Sequence, residues 1–161
     1  MVLMVSLGFV SLFADVIGIA DKVIIKKSTR MLYLSSNGDI FNRYHVTLGA
    51  IPEGDKKVEG DMRTPEGAYR LDYRQASDDY YKSLHISYPN EADKAEAKRL
   101  GKKAGGMIMI HGTPPAWSLS PYGDWMNVLL DWTQGCIAMA NDDIDEVWEQ
   151  TTDGTVVVIV P

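Results

Sequence analysis

Residues 131–143 read DWTQGCIAMANDD and contain Cys136, the one cysteine of this 161-residue chain. A free cysteine is most often a small buried hydrophobe. It is a nucleophile only as a thiolate, which at neutral pH needs a partner, usually a histidine within hydrogen-bond reach. Gly135, directly before Cys136, lets the backbone turn tightly and lets a substrate come close. Successive amide N–H groups at such a turn, from Gln134 to Cys136, can converge on one point and form an oxyanion hole.

The chain has three histidines. His45 and His85 lie inside strand-like runs and read as edge or surface residues. His111 ends the apolar stretch MIMIH (107–111) and is followed by Gly112, where the chain must change direction. Strand ends and their loops commonly display reactive groups, so His111 is the candidate base for Cys136. Such a pair is expected to lower the thiol pKa below its usual value of about 8.5.

The bulk numbers bound the rest. A length of 161 residues with 45% hydrophobic residues suits one domain with an ordinary core. One cysteine excludes an internal disulfide framework and a Cys-rich zinc site. A net charge of −6 argues against a nucleic-acid partner and a polybasic membrane mode. The uncharged run MVLMVSLGFVSLF (1–13) is shorter than the roughly 20 residues of a membrane span. It fits the apolar core of a signal peptide, although no Lys or Arg precedes Lys22. Gly18-Ile19-Ala20 predicts cleavage before Asp21, with Ala14 as a second cut site. The expected organisation is a signal peptide over 1–20 and one domain over 21–161.

From Asp21 onward the pattern is mostly strand-like. KVIIKK (22–27) and RMLYLSS (30–36) are short β-rich runs, and Asn37-Gly38-Asp39 reads as a hairpin turn. NEADKAEAKRLG (90–101) is a helix with Asn90 as cap, acids in its first turn, Lys98 and Arg99 near its end, and Gly101 as stop. Asn141 with Asp142 and Asp143 reads as the N-cap and first turn of a second helix through Trp148. GTVVVIVP (154–161) is a last strand.

The combination of IHGTPP (110–115) with TQGCIAMAND (133–142) resembles the signature of the L,D-transpeptidase catalytic domain, the YkuD-type family. The matching positions are His111, Gly112, Thr133, Gly135, Cys136 and Ile137. VTLGAIPEGDKKVEGDMRTPEGAYRL (46–71) looks like the family's approach to its site, with a Thr-Pro-x-Gly turn at Thr64, Pro65 and Gly67. SLHISYPN (83–90) followed by a helix is similar to the YafK-like branch. The resemblance implies a mainly β catalytic domain, sandwich or barrel-like, with two or three short helices.

It further implies an exported, periplasmic enzyme that acts on peptidoglycan stem peptides through a Cys136 thioester, with His111 as base and no metal or organic cofactor. The alternatives are a hydrolase on the same scaffold, trimming stem peptides or releasing a wall-linked lipoprotein, and a catalytically idle wall-binding module. Backbone amides of Gln134, Gly135 and Gly112 are the oxyanion candidates. Thr133, Arg63, Tyr88 and Trp117 are the candidate substrate contacts. A backbone carbonyl is expected to orient His111. Many members carry His at the position of Gln134 and Arg at that of Ala138, so a carboxylate clamp is missing at 138. The loop Thr113–Asp131, with Trp117, Tyr122 and Trp125, is the expected replacement wall.

Overall fold

Asn37 and Gly38 both adopt positive φ, 54° and 91°, which is the two-residue turn whose twist matches that of its flanking strands. They join β2 (Met31–Ser36) to β3 (Asp39–His45), and β2 pairs on its other side with β1 (Lys22–Lys26). The computed structural model describes residues 18–119 and 129–161. The apolar run 1–13, the Ala14 cut site, Tyr122 and Trp125 lie outside the described residues.

The remaining strands are β4 (Gly67–Ser77), β5 (Tyr81–Ile86), β6 (Met109–His111), β7 (Ile137–Ala138) and β8 (Val156–Val160). Their order in the sheet is β3-β2-β1-β8-β4-β5-β6-β7. The last strand in sequence is therefore central: β8 runs parallel to β1 and antiparallel to the first residues of β4. Beyond Leu71, β4 leaves β8 and pairs with β5, so one long strand serves both halves of the sheet. Bridges Thr47↔Ala138 and Gly49↔Thr133 bring the chain after β3 against β7 at the far edge. These contacts join the two ends of the strand order and give the sandwich its barrel-like character.

One core fills the space between the halves. Ile25, Leu32, Leu34 and Ile159 from one side meet Leu84, Ile86, Ile110 and Ile137 from the other. Each such side chain contributes about 1.5–3 kcal/mol on full burial.

Two α-helices accompany the strands among the described residues, with 3-10 turns at Lys27–Thr29 and Pro115–Leu119. Helix α1 (Glu91–Arg99) has the expected Asn90 cap, and Asp93 completes a capping box. Helix α2 (Asn141–Glu149) buries Ile144 and Val147 and lies against β5. Its N-cap is Ala140, with no side-chain cap, rather than Asn141. The Asn141 side chain is committed elsewhere: Oδ1 accepts from the Thr113 amide at 2.8 Å and Nδ2 donates to the Thr113 carbonyl at 3.2 Å.

Beside the expected boundary, Ala20 packs into the core. Ala20 is 2% exposed, and its amide donates to the Gln150 carbonyl at 2.8 Å. A cut before Asp21 would remove a core residue, whereas a cut at Ala14 would keep it.

Candidate active site

Two short strands bring the cysteine to the histidine. Strand β6 pairs with β7 in parallel, with Ile110 opposite Ile137 and His111 opposite Ala138. Residues opposite one another in a parallel pair point to the same face, and the face alternates along each strand. One step back in that register, Cys136 shares the face of His111 and stands diagonally across from it. Both line a cleft of about 520 Å³ with Lys56, Tyr80, Trp132 and Gln134. A second hollow, lined by Lys98, Lys102 and Lys103, adjoins it at Glu59 and Gly105 but holds no nucleophile.

His111 is 2% exposed. Its Nδ1 lies 2.6 Å from the Gly112 carbonyl oxygen. A carbonyl only accepts, so Nδ1 carries the proton and Nε2 keeps its lone pair, the tautomer a base needs. The orienting group is thus a backbone carbonyl. Aromatic rings fix the imidazole from two sides: Tyr80 at 4.6 Å between centroids and Trp132 at 5.9 Å. Trp117 packs on Trp132 at 5.1 Å. It reaches the site through that ring and does not itself line the cleft. Burial pushes the His111 pKa down, and the bond to Gly112 partly offsets this.

Cys136 is partly exposed at the cleft, yet protein surrounds the thiol on most sides. Its Sγ donates to the Met107 carbonyl at 3.4 Å. Burial pushes the thiol pKa up, while a backbone hydrogen bond from Met109 and the Lys56 charge act in the opposite direction. The sum is upward. The direction is opposite to the lowering expected of a thiol paired with a histidine.

The loop before the nucleophile is pinned at three points. Asp131 takes a bidentate bond from Arg30 (Nη2 to Oδ2 2.7 Å) and accepts the Leu48 amide at 2.8 Å. Thr133 Oγ1 donates to the Cys136 carbonyl at 2.7 Å and accepts the Gly135 amide at 3.1 Å. Gly135 has φ of 134°, and a Cβ there would stand 2.6 Å from the Arg63 carbonyl oxygen. Only glycine allows that approach. Gly112 is equally tight, since a Cβ would meet Asn141 Oδ1 at 2.3 Å.

These bonds revise several expected roles. The amides of Gly135 and Gly112 are already used, the latter on the Lys82 carbonyl at 3.0 Å. That leaves Gln134 and Cys136 as the amides without a described acceptor. Thr133 borders the cleft, but its hydroxyl staples the loop and is not offered outward. Tyr88 is not a cleft residue: it is 3% exposed in the core, and its hydroxyl donates to the Ala104 carbonyl at 3.0 Å. Arg63 meets the site only through its backbone carbonyl behind Gly135. His85 is buried rather than superficial, with Nδ1 2.6 Å from Asp72 and its ring stacked on Tyr73. His45 is exposed. Lys56 was missed, because nothing in the run DKKVEGD separates a buried lysine from its exposed neighbour Lys57.

Comparison with known proteins gives the family of the chain. Residues 20–159 match the family described as the L,D-transpeptidase catalytic domain, YkuD. The protein YafK of Escherichia coli (strain K12) is 32% identical over 105 residues, 64% of this chain and 34% of that protein. Among solved structures, the helical cell shape determining protein Pgp2 from Campylobacter jejuni superposes with a TM-score of 0.65 at 29% identity, over 86% of this chain and 46% of that one. An L,D-transpeptidase from Mycobacterium smegmatis shares the fold, with a TM-score of 0.55 at 10% identity over 87% of this chain and 58% of that one. The chain spans about a third of the length of the curated relatives it matches.

Proposed function

This chain belongs to the YkuD-type L,D-transpeptidase catalytic-domain family, and we propose that within it Cys136 and His111 perform acyl transfer on peptidoglycan stem peptides. The observation that carries the reading is the parallel register that sets Cys136 diagonally beside His111, with Nδ1 tied to Gly112 so that Nε2 is free.

His111 Nε2 takes the thiol proton as Sγ attacks the amide carbonyl carbon next to diaminopimelate. Because both groups are neutral at rest, the proton moves when the substrate is in place, when the attack supplies the driving force. The carbonyl oxygen becomes an oxyanion held by the Gln134 and Cys136 amides. The C–N bond breaks, the leaving amine takes the proton from Nε2, and a thioester remains. An acceptor amine then attacks the thioester carbon and gives its proton to Nε2. The S–C bond breaks and the proton returns to Sγ. The domain works in the envelope after export, with the leader cut upstream of Ala20, at the Ala14 site. Intact mass of the native protein tests the cut: a chain starting at Asp21 or at Met1 contradicts it.

Hydrolysis of the thioester is the second reading, favoured by the partial exposure of the Cys136 residue where it lines the cleft. Mass spectrometry of a tetrapeptide muropeptide, incubated with and without excess D-amino acid, decides between them. Exchanged or cross-linked products support transfer. Shortened peptide or released lipoprotein, with no exchange at any acceptor concentration, supports hydrolysis. No product of either kind leaves a wall-binding module that does no chemistry.

A further inference from the structure

The cleft contains a charge that neither the Cys136 motif nor the His111 motif supplies. Lys56 lines it and is 4% exposed. A buried ammonium is costly unless it is paired and hydrogen-bonded. Here Nζ donates to Asp61 Oδ1 at 2.9 Å and to the Val58 carbonyl at 3.1 Å. Asp61 is itself shared: its oxygens also accept the amides of Lys57 at 2.7 Å, Val58 at 3.1 Å and Arg63 at 3.2 Å. The carboxylate thus accepts four donors, which fix its position beside the ammonium.

A lysine ammonium has three donors, and the described partners take two. The third is left for the cleft. Glu59, the other permanently charged residue on the lining, is exposed at the rim. Among the described lining residues Lys56 is the one permanent cation. Ala138 is fully buried opposite His111 and does not line the cleft.

The geometry points to Lys56 as a specificity-determining residue: its third N–H binds the free carboxylate of the residue that leaves the scissile amide. The cleft thereby selects donors whose leaving residue ends in an acid. Asp61 and its three backbone amides form the bracket that holds the ammonium in place. This inference rests on the reading that Cys136 attacks a peptide amide.

The test compares a stem tetrapeptide ending in a free carboxylate with the same peptide ending in a carboxamide. Binding is measured by calorimetry on Cys136→Ala, and turnover on the protein with Cys136 intact. With Lys56 present the acid should bind roughly tenfold to a hundredfold tighter than the amide, the worth of one charge-assisted hydrogen bond. In Lys56→Gln, which keeps a donor for Asp61, the ratio should fall to about one while the amide's affinity barely moves. The pair Lys56→Met/Asp61→Asn removes both charges and strands neither in the interior, and it should give the same loss. A ratio near one with Lys56 present, or a ratio unchanged in both variants, overturns the assignment. Lys56-dependent selection without thioester formation would sink the proposed reaction and leave Lys56 only as a carboxylate-binding residue of the cleft. Turnover without Lys56-dependent selection would overturn the assignment and leave the reaction standing.

Discussion

The Cys136 thiol donates to the carbonyl of Met107, 3.4 Å away, so the nucleophile at rest is anchored to the backbone of the chain entering β6. Together with burial, that bond keeps the sulfur protonated. In the proposed reaction the resting pair is neutral, and the thiolate forms as the thiol attacks.

The pH dependence of thiol chemistry should reveal this. Burial raises the Cys136 pKa above its ordinary value. Alkylation by iodoacetamide should therefore climb with pH, with its inflection above the value of about 8.5 usual for a free thiol. A rate already at its plateau near pH 7 would indicate a preformed thiolate–imidazolium pair and contradict the neutral resting state.

Removing the base should be costly while leaving the fold intact. His111→Gln is expected to slow acylation of Cys136 by a peptide substrate by roughly a hundredfold to ten-thousandfold, the usual range for general-base catalysis. Cys136→Ala should abolish turnover with an unchanged melting temperature. Retention of wild-type acylation in His111→Gln would remove His111 from the mechanism.

The Thr133 staple should matter to both stability and rate. Thr133→Val keeps the shape but strands the Gly135 amide and the Cys136 carbonyl, each now bonded to Oγ1. A cost of about 1–3 kcal/mol is expected in urea unfolding, with a matching fall in turnover, because the nucleophile loses its anchor. Thr133→Ser retains the hydroxyl and should recover most of both.

Stability should decline on mild acidification, and part of the decline belongs to His111. Burial holds its folded pKa below the ordinary 6.5, so the unfolded chain takes up the proton first as pH falls. The unfolded state then binds more protons, and stability drops from pH 6.5 down towards the folded pKa; above 6.5 the contribution is complete. Urea midpoints between pH 7.5 and 5.5 should fall more steeply for wild type than for His111→Gln. Parallel slopes would contradict a buried neutral imidazole.

Much of this site could be read before any fold was known, because its parts are local. The positive-φ pair Asn37-Gly38 announces the hairpin and Asn90 with Asp93 announces α1, each through residues a few positions apart, and Gly135-Cys136 with His111-Gly112 announces the family. What the chain alone did not determine depends on long-range packing. Asn141 looks like a helix cap but bonds Thr113, because β6 and α2 meet only in the folded protein. Tyr88 and His85 look available but are buried, Tyr88 against Ala104 and Tyr69 and His85 against Asp72 and Tyr73. Lys56 and Lys57 are identical to local rules, and only the closure of the Asp61 turn over the cleft buries one of them. The thiol pKa is raised for the same reason: the desolvation that outweighs the Met109 amide and the Lys56 charge is created by the surrounding tertiary structure.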